Sequence, residues 1–322
     1  MQKIKVGIIG AAGYTGGELL RILINHPLAQ IGWANSQSQT GKTIAATHTD
    51  LLGDTDLVFS NSFDFKAVDV IFLCSGHGQS KKFLSENPVP PSVKIIDLST
   101  DFRDQSNDFV YGLPELQRDL IKNSNKVANP GCFATTIELA LLPLAQKQLL
   151  YEDVHVSAIT GSTGAGQALS QSTHFTWRNN NLSIYKAFTH QHLTEIGMTV
   201  KCLQDNFTQK INFIPYRGDF TRGIMANVYT QFDGSIEEAQ NLYQNYYASH
   251  PFTHVSEADI DLKQVVNTNK CLIQLQKNEN NLLITSIIDN LIKGASGQAV
   301  QNMNLLFDLP EDTGLRLKAM AF

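Results

Sequence analysis

Residues Lys3 to Ile9 form a nearly unbroken apolar run, the pattern of a strand buried on both faces. The run meets Gly10-Ala11-Ala12-Gly13-Tyr14-Thr15-Gly16-Gly17, and an amphipathic helix is expected from there through Asn25. Three further β-rich runs follow, Gln30 to Ala34, Val68 to Leu73 and Val93 to Leu98, separated by helix-compatible stretches such as Gln79 to Glu86. Strands alternating with helices predict an α/β fold with a doubly wound parallel sheet. Tyr111-Gly112-Leu113-Pro114-Glu115 makes a turn into another helix, and Lys126 to Ala128 closes this part.

Beyond Ala128-Asn129-Pro130-Gly131-Cys132-Phe133-Ala134-Thr135 the pattern changes. A helix is expected over Phe133 to Leu149 with a kink at Pro143. Strands follow at Val154 to Thr160, Ile211 to Ile214, Ile224 to Phe232, Cys271 to Gln276 and Leu282 to Ile288. One helix is announced by the capping box Ser235-Ile236-Glu237-Glu238. Runs of strands with helices to one side predict an α+β second domain. Ala295 to Phe307 reads as a final amphipathic helix returning to the first domain. The expected division is 1–130 plus 297–322 for one domain and 131–296 for the other.

The glycine turn is spaced to let a pyrophosphate approach the backbone and rest on the helix N-terminus, through Gly10, Gly13, Tyr14, Thr15 and Gly16. GxxGxxG spacing alone is equally compatible with a tight strand-to-helix turn. The second strand ends Ala34-Asn35-Ser36-Gln37-Ser38, without the acid that usually holds a ribose diol. That absence points to NADP, its 2′-phosphate taken by Ser36 and Ser38 with Lys42. The alternative is a solvated polar loop. The loops at Cys74-Ser75-Gly76-His77-Gly78 and at Asp97 to Arg103 fall at strand ends. Arg103 offers a planar fork for a phosphate, or pairs with Asp101 or Asp104.

The chain has 322 residues, 42% hydrophobic and 17% charged, enough for about two domains of roughly 150 residues. A net charge of -5 argues against nucleic acid as a partner. The four cysteines are far apart, so no CxxC zinc or redox spacing exists. Met1 to Gly10 does not read as a signal peptide, and no apolar run reaches the roughly 20 residues needed to span a bilayer. A cytoplasmic protein with free thiols is expected.

Cys132 stands between a rigid Pro-Gly turn and the apolar helix. A thiol at a helix N-terminus faces unpaired N–H groups and the positive end of the dipole, which favour the thiolate nucleophile. The competing reading is a small buried hydrophobe. Thr189-His190-Gln191-His192-Leu193-Thr194-Glu195 supplies two imidazoles. With no third ligand at a zinc-like spacing, no metal is expected. Each histidine is either structural or a proton partner for the thiol.

These motifs, with Asp97-Leu-Ser-Thr-Asp-Phe-Arg103, Tyr111-Gly-Leu-Pro-Glu115, Arg222-Gly223, Asp289-Asn-Leu-Ile-Lys-Gly294 and Gln298 to Asn304, resemble the N-acetyl-gamma-glutamyl-phosphate reductases of arginine biosynthesis. The resemblance spans nearly the whole chain. It implies a Rossmann-type domain, a second domain like that of aspartate-semialdehyde and glyceraldehyde-phosphate dehydrogenases, NADPH as reductant, and a homo-oligomer, dimer or tetramer. It implies Cys132 as nucleophile on a γ-acyl phosphate, giving a thioester, inorganic phosphate and then an aldehyde. His190 is the first choice as base and His192 the second. Arg103 would hold the phosphate; Asn129, Glu195, Arg217 and Arg222 would contact substrate; Ser75, Gly164 and Asn290 would contact the cofactor.

The chain departs from the family pattern at Gln37, where Arg is frequent, at Gln167 after the second glycine loop, and at Thr136. Arg217 is an extra arginine beside Arg222-Gly223, which raises a succinyl in place of an acetyl group on the glutamate. Two other functions fit the same motifs: an aminoadipyl-phosphate reductase of lysine biosynthesis working on an acidic carrier protein, and a non-catalytic NADP sensor. The charge of -5 shows no basic rim for such a carrier, and the retained cysteine and histidine speak against a sensor.

Overall fold

The computed structural model describes residues 3–76 and 78–320; His77 of the loop after Leu73 and the terminal residues 1–2 and 321–322 lie outside them. The contacts divide the chain into two compact units, Met1–Pro130 with Ala295–Arg316 and Gly131–Gly294 with Leu317–Phe322.

In the first unit β1 (Ile4–Ile9), β2 (Ala29–Asn35), β3 (Val70–Leu73), β4 (Lys94–Asp97), β5 (Val110–Tyr111) and β6 (Lys126–Ala128) form one sheet. Their order is β2-β1-β3-β4-β6-β5, and every pairing is parallel. Parallel pairing demands cover on both faces, and β3 is accordingly buried along its whole length. The order reverses between β1 and β3, so the loops after these two strands flank the crevice at the sheet's switch point. Helices α1 (Tyr14–Ile24), α2 (Gln79–Glu86) and α3 (Pro114–Lys122) follow β1, β3 and β5. Between β2 and β3 there is no α-helix, only short 3-10 turns at Ile44–Ala46, Thr49–Leu51 and Phe65–Ala67. Gly41 and Gly53, both at positive φ, turn the chain there.

The second unit holds a seven-stranded mixed sheet in the order β11-β12-β13-β10-β7-β9-β8. Its members are β7 (Val154–Thr160), β8 (Ser183–Ile184), β9 (Ile211–Arg217), β10 (Ile224–Gln231), β11 (Thr253–Ser256), β12 (Cys271–Asn278) and β13 (Asn281–Ile288). Buried residues alternate along β7 and β10, as expected when helices cover one face only. The cover comes from α4 (Cys132–Gln146), which packs on β10, β13, α6 (His192–Leu203) and α7 (Ile236–Tyr247). A short helix, α5 (Phe175–Arg178), precedes the edge strand β8.

α4 runs through Pro143 to Gln146 without a break and is buried from Phe133 to Ala145. Proline cannot supply the N–H that the Leu139 carbonyl would accept one turn back. The Tyr247 hydroxyl donates to that carbonyl instead, and the Tyr243 hydroxyl donates to Ala140 O at 2.5 Å. Tyr247 of α7 thus closes the one hydrogen bond that Pro143 leaves open. The helix begins one residue earlier than its pattern predicts, so Cys132 is its first residue.

After a π-helical turn at Ile292–Ser296, α8 (Gly297–Leu306) packs on α1, α3 and β4. Its alternating polar residues suggest a solvated face, yet every residue of α8 is buried. The amides serve as donors to the chain itself. Asn302 Nδ2 donates to Gly112 O (2.9 Å) and Asn129 Oδ1 (3.1 Å), and Asn304 Nδ2 to the Glu311 and Thr313 carbonyls (2.9 Å each). Among the described residues no helix is long and apolar enough to cross a membrane.

Candidate active site

The first unit carries the glycine turn. Gly10 has φ +77°, open to glycine but strained for other residues, and a Cβ there would lie 3.0 Å from the Cys74 carbonyl. At Gly16 a Cβ would lie 2.6 Å from Ala11 Cα, so the absence of a side chain lets α1 close on the turn. The N-terminus of α1, at Gly13, Tyr14 and Thr15, has no side-chain cap and no acid in its first turn. Its N–H groups therefore suit an anion. The neighbouring α2 contrasts: Asp101 accepts from Gly78 N (2.6 Å) and Lys81 N (3.0 Å), so the chain's own carboxylate occupies that end.

β2 ends at Asn35 without an acid. Ser36 is buried, its N–H donating to Ser60 O (3.0 Å), while Ser38 is exposed and Lys42 Nζ donates to Gln39 Oε1 (3.0 Å). Ser75 is half-buried after β3.

Arg103 is 8% exposed and donates through Nε to Asn129 O (2.9 Å) and through Nη2 to Leu98 O (3.2 Å). Its fork thus braces the strand that leads into Asn129-Pro130-Gly131. Asn129 is 1% exposed and donates to Ala295 O (3.1 Å). Asp97 sits fully buried beneath, accepting from Ser80 Oγ (2.6 Å) and Ser99 Oγ (2.7 Å). Burial pushes its carboxyl up, against those hydrogen bonds and Arg103.

In the second unit Cys132 opens α4, whose start has neither a side-chain cap nor an acidic residue in the first turn. The Gly131 N–H just before it donates to Glu195 Oε2 (3.0 Å). The other oxygen of Glu195 lies 3.7 Å from His192 Nε2. His190 is 7% exposed and stands edge-on to Phe133, Tyr185 and Phe213 at 5.5, 5.7 and 5.4 Å between ring centres. His192 stands 4.7 Å from it, and the His192 backbone N–H donates to His190 Nδ1 (3.3 Å). Burial, with repulsion from Lys186 and Arg217, pushes His190 down to about 4.

The Arg217 guanidinium lies 4.5 Å over the Tyr185 ring, with a buried Nε that has no hydrogen-bond partner. Burial and the neighbouring Cys132 push the Tyr185 hydroxyl up to about 12. Arg222 is elsewhere engaged, in an ion pair with fully buried Asp289 (Nε to Oδ2, 3.1 Å). Asp289 also accepts from Leu291 N (2.8 Å) and Ile292 N (3.1 Å), folding the turn that ends at Gly294. Asn290 accepts from Gly223 N (2.8 Å) and donates to Thr163 Oγ1 (3.0 Å), one residue before Gly164. A Cβ at Gly294 would lie 2.7 Å from Cys132 Cβ, so this turn presses directly on the nucleophile candidate. Cys132, Tyr185, His190, His192, Glu195 and Arg217 are thus brought together, while Arg222 and Asn290 hold the turn behind them. Among the described residues no group of three or more His, Cys, Asp or Glu is arranged to hold a metal ion.

Two family models match: "Semialdehyde dehydrogenase, NAD binding domain" over residues 5–124 and "Semialdehyde dehydrogenase, dimerisation domain" over residues 132–290. An N-acetyl-gamma-glutamyl-phosphate reductase of Christiangramia forsetii is 59% identical, covering 99% of this chain and all of its own length. The chain belongs to the N-acetyl-gamma-glutamyl-phosphate reductase family. Reductases so named from Phocaeicola vulgatus and Bacteroides thetaiotaomicron are 57% and 56% identical over the same 99% of this chain and the whole of theirs. Among solved structures, aspartate semialdehyde dehydrogenase II of Vibrio cholerae aligns with TM-score 0.76 at 17% identity, covering 96% of this chain and 99% of that one. A probable aspartate-semialdehyde dehydrogenase from Pseudomonas aeruginosa gives 0.74 at 16%, covering 95% and 99%. The family therefore has here its Rossmann-type α/β fold with a second mixed-sheet domain. Asp289 and Gly294 stand in the sequence as the two ends of a quoted motif, but the contact of Gly294 with Cys132 is visible only in the structure. Tyr185 carries no signal in the sequence.

Proposed function

We propose that the protein reduces an N-acyl-gamma-glutamyl phosphate, with NADPH and a proton, to N-acyl-glutamate semialdehyde, NADP and inorganic phosphate, in arginine biosynthesis. The observation that carries the reading is Cys132 as the first residue of an uncapped helix, inside a cluster with Tyr185, His190 and Arg217. The dipole of α4 favours the thiolate. The thiolate attacks the acyl carbon, the phosphate leaves, and a thioester remains on Cys132. The N–H groups of the first turn of α4 are the candidate oxyanion donors. His190 is the imidazole beside the reacting carbon, with His192 behind it. Glu195 holds the Gly131 N–H and so sets the approach to the thiol. Arg103 lends charge to the phosphate while bracing Asn129, and Arg217 lies at the acyl end.

The glycine turn fits NADPH: an open helix end, no acid after β2, and serine hydroxyls with Lys42 where a 2′-phosphate would sit. Gly10, Gly13, Tyr14, Thr15, Gly16, Ser36, Ser38 and Ser75 would hold the nucleotide, with Gly164 and Asn290 assigned to its nicotinamide. When bound, NADPH supplies the hydride that reduces the thioester carbon.

The sheet face of the second unit that the helices leave uncovered, with His155 stacked on half-exposed Tyr229 at 4.9 Å, is the surface through which we place a homo-oligomer, dimer or tetramer. The enzyme is assigned to the cytoplasm. The test is phosphate-dependent reduction of NADP with the N-acetyl and N-succinyl glutamate semialdehydes. Activity is expected with one or both and lost in Cys132→Ser; a Cys132→Ser enzyme of unchanged rate refutes the assigned nucleophile.

A further inference from the structure

Two glycines stand side by side in the first turn of α1, where each costs helix stability. Gly16 is explained by the close approach of Ala11, and Gly17 by an imidazole from a distant loop. A Cβ on Gly17 would lie 2.6 Å from His48 Cε1 and 2.7 Å from His48 Nδ1. Seated in the notch that Gly17 leaves, His48 hydrogen-bonds Ala11 O through Nε2 at 2.9 Å. A carbonyl only accepts, so the proton is on Nε2. The Ala11 N–H meanwhile donates to Asn35 O (2.9 Å). This residue of the glycine turn is thus held on one side by the end of β2 and on the other by His48. The imidazole comes from the excursion that stands in place of a helix between β2 and β3. The outgoing limb of that excursion bears Ser36, Ser38 and Lys42. It pairs with the return limb through Gly41 N to Phe59 O (2.9 Å), Phe59 N to Lys42 O (2.9 Å) and Ile44 N to Leu57 O (2.8 Å). Beyond the pairing the tip folds into the 3-10 turns at Ile44–Ala46 and Thr49–Leu51, with Ile44 and Leu51 buried. His48 joins the two turns, its N–H donating to Ile44 O (2.9 Å) and its carbonyl accepting from Leu51 N (3.0 Å).

We propose that His48 is a positioning residue for NADPH, the clasp that sets the limb from Ser36 to Lys42 in register with the glycine turn. The proposal rests on the reading of the first unit as the NADPH site, with the limb assigned to the 2′-phosphate and the turn to the pyrophosphate. NADPH carries both anions on one ribose, at a separation its covalent frame sets. Affinity therefore depends on the two receiving surfaces being fixed relative to each other before binding. β2 fixes only the start of the limb, at Asn35; the clasp fixes its tip. NADH has no 2′-phosphate and draws on the turn without the limb, so loss of the clasp weakens it less. His48 acts through the Ala11 carbonyl and takes no part in hydride transfer.

The experiment titrates NADPH and NADH against the full-length protein by nucleotide fluorescence, with no acyl substrate present. Wild type is compared with His48→Ala, His48→Gln, Gly17→Ala and the double variant His48→Ala with Gly17→Ala. In His48→Ala the Kd for NADPH is expected to rise about tenfold or more, and that for NADH by less than about threefold. His48→Gln, whose amide N–H can reach Ala11 O, should hold NADPH within about threefold of wild type. Gly17→Ala drives the imidazole from its notch and should weaken NADPH as His48→Ala does. The double variant should bind within about twofold of His48→Ala, because both changes remove the same contact. An NADPH Kd in His48→Ala within about twofold of wild type overturns the proposal. So do equal losses for the two nucleotides, additive losses in the double variant, or a Gln variant as weak as Ala. Failure of the underlying reading looks different, because then the wild-type protein itself binds neither nucleotide. Should His48→Ala melt early, Gly17→Ala decides: there an unchanged NADPH Kd refutes the clasp.

Discussion

Gly294→Ala tests the packing behind the thiol. Gly294 needs no left-handed backbone, so alanine is conformationally acceptable and the only new demand is space. The added Cβ would lie 2.7 Å from Cys132 Cβ, 3.1 Å from its Cα and 3.2 Å from Ile288 Cδ1. Carbon atoms settle at about 3.5–4.0 Å, so Cys132 or the Asp289 turn must yield by roughly 1 Å. Overpacking of this kind costs about 1–3 kcal/mol, a fall in Tm of roughly 2–12 °C for a unit of this size. A nucleophile misplaced by about 1 Å loses on the order of 10²-fold in rate. The assay is kcat for phosphate-dependent NADP reduction beside a thermal melt, with Gly197→Ala of α6 as control. Nothing lies within 4 Å of a Cβ there, so the control should gain about 0.5–1 kcal/mol through helix propensity. A Gly294→Ala enzyme with the wild-type kcat and Tm would show that the turn does not position the sulfur.

Tyr247→Phe removes the hydroxyl donated to the Leu139 carbonyl, leaving a buried acceptor bare; a loss of about 1–3 kcal/mol in chemical denaturation is expected, and no loss would mean the carbonyl finds another donor. Gly16→Ala forces α1 away from Ala11, so NADPH binding measured by fluorescence should weaken at least tenfold while Cys132 alkylates normally. His190 is depressed from 6.5 to about 4, so its contribution to stability is complete above pH 6.5 and lost as the pH falls through 4. Tm should therefore decline across that window and decline less in His190→Gln. His26 and His254 are depressed too, which leaves a residual slope, and an unaltered slope in the variant would contradict the burial of His190.

What could be read in the chain beforehand was what its local chemistry dictates. The apolar run of β1 and the glycines after it leave little choice of conformation, and the thiol's place at a helix start follows from the Pro-Gly turn before an apolar helix. Roles that depend on distant partners were not legible. Arg103 reads as a phosphate fork, but the carbonyl it braces belongs to Asn129. Gln301 and Asn304 of α8 read as a wet face because their partners, Glu311 and the Thr313 carbonyl, lie in the tail beyond the helix. Tyr185 reaches the thiol only because the two-residue strand β8 pairs along β9, and so short a strand leaves no periodicity to detect. His190 could be named as chemistry from its type; its tautomer could not, since a backbone N–H decides it.

The arrangement of Pro143 with Tyr243 and Tyr247 constrains how the sequence can drift. A lineage that exchanges the proline for an ordinary residue gives the Leu139 carbonyl a second donor, and an oxygen with two lone pairs accepts both. One that first loses the Tyr247 hydroxyl strands the carbonyl in a dry interior. Among descendants of this chain Pro143 should therefore be exchanged before the Tyr247 hydroxyl is lost, although 108 positions separate Leu139 from Tyr247.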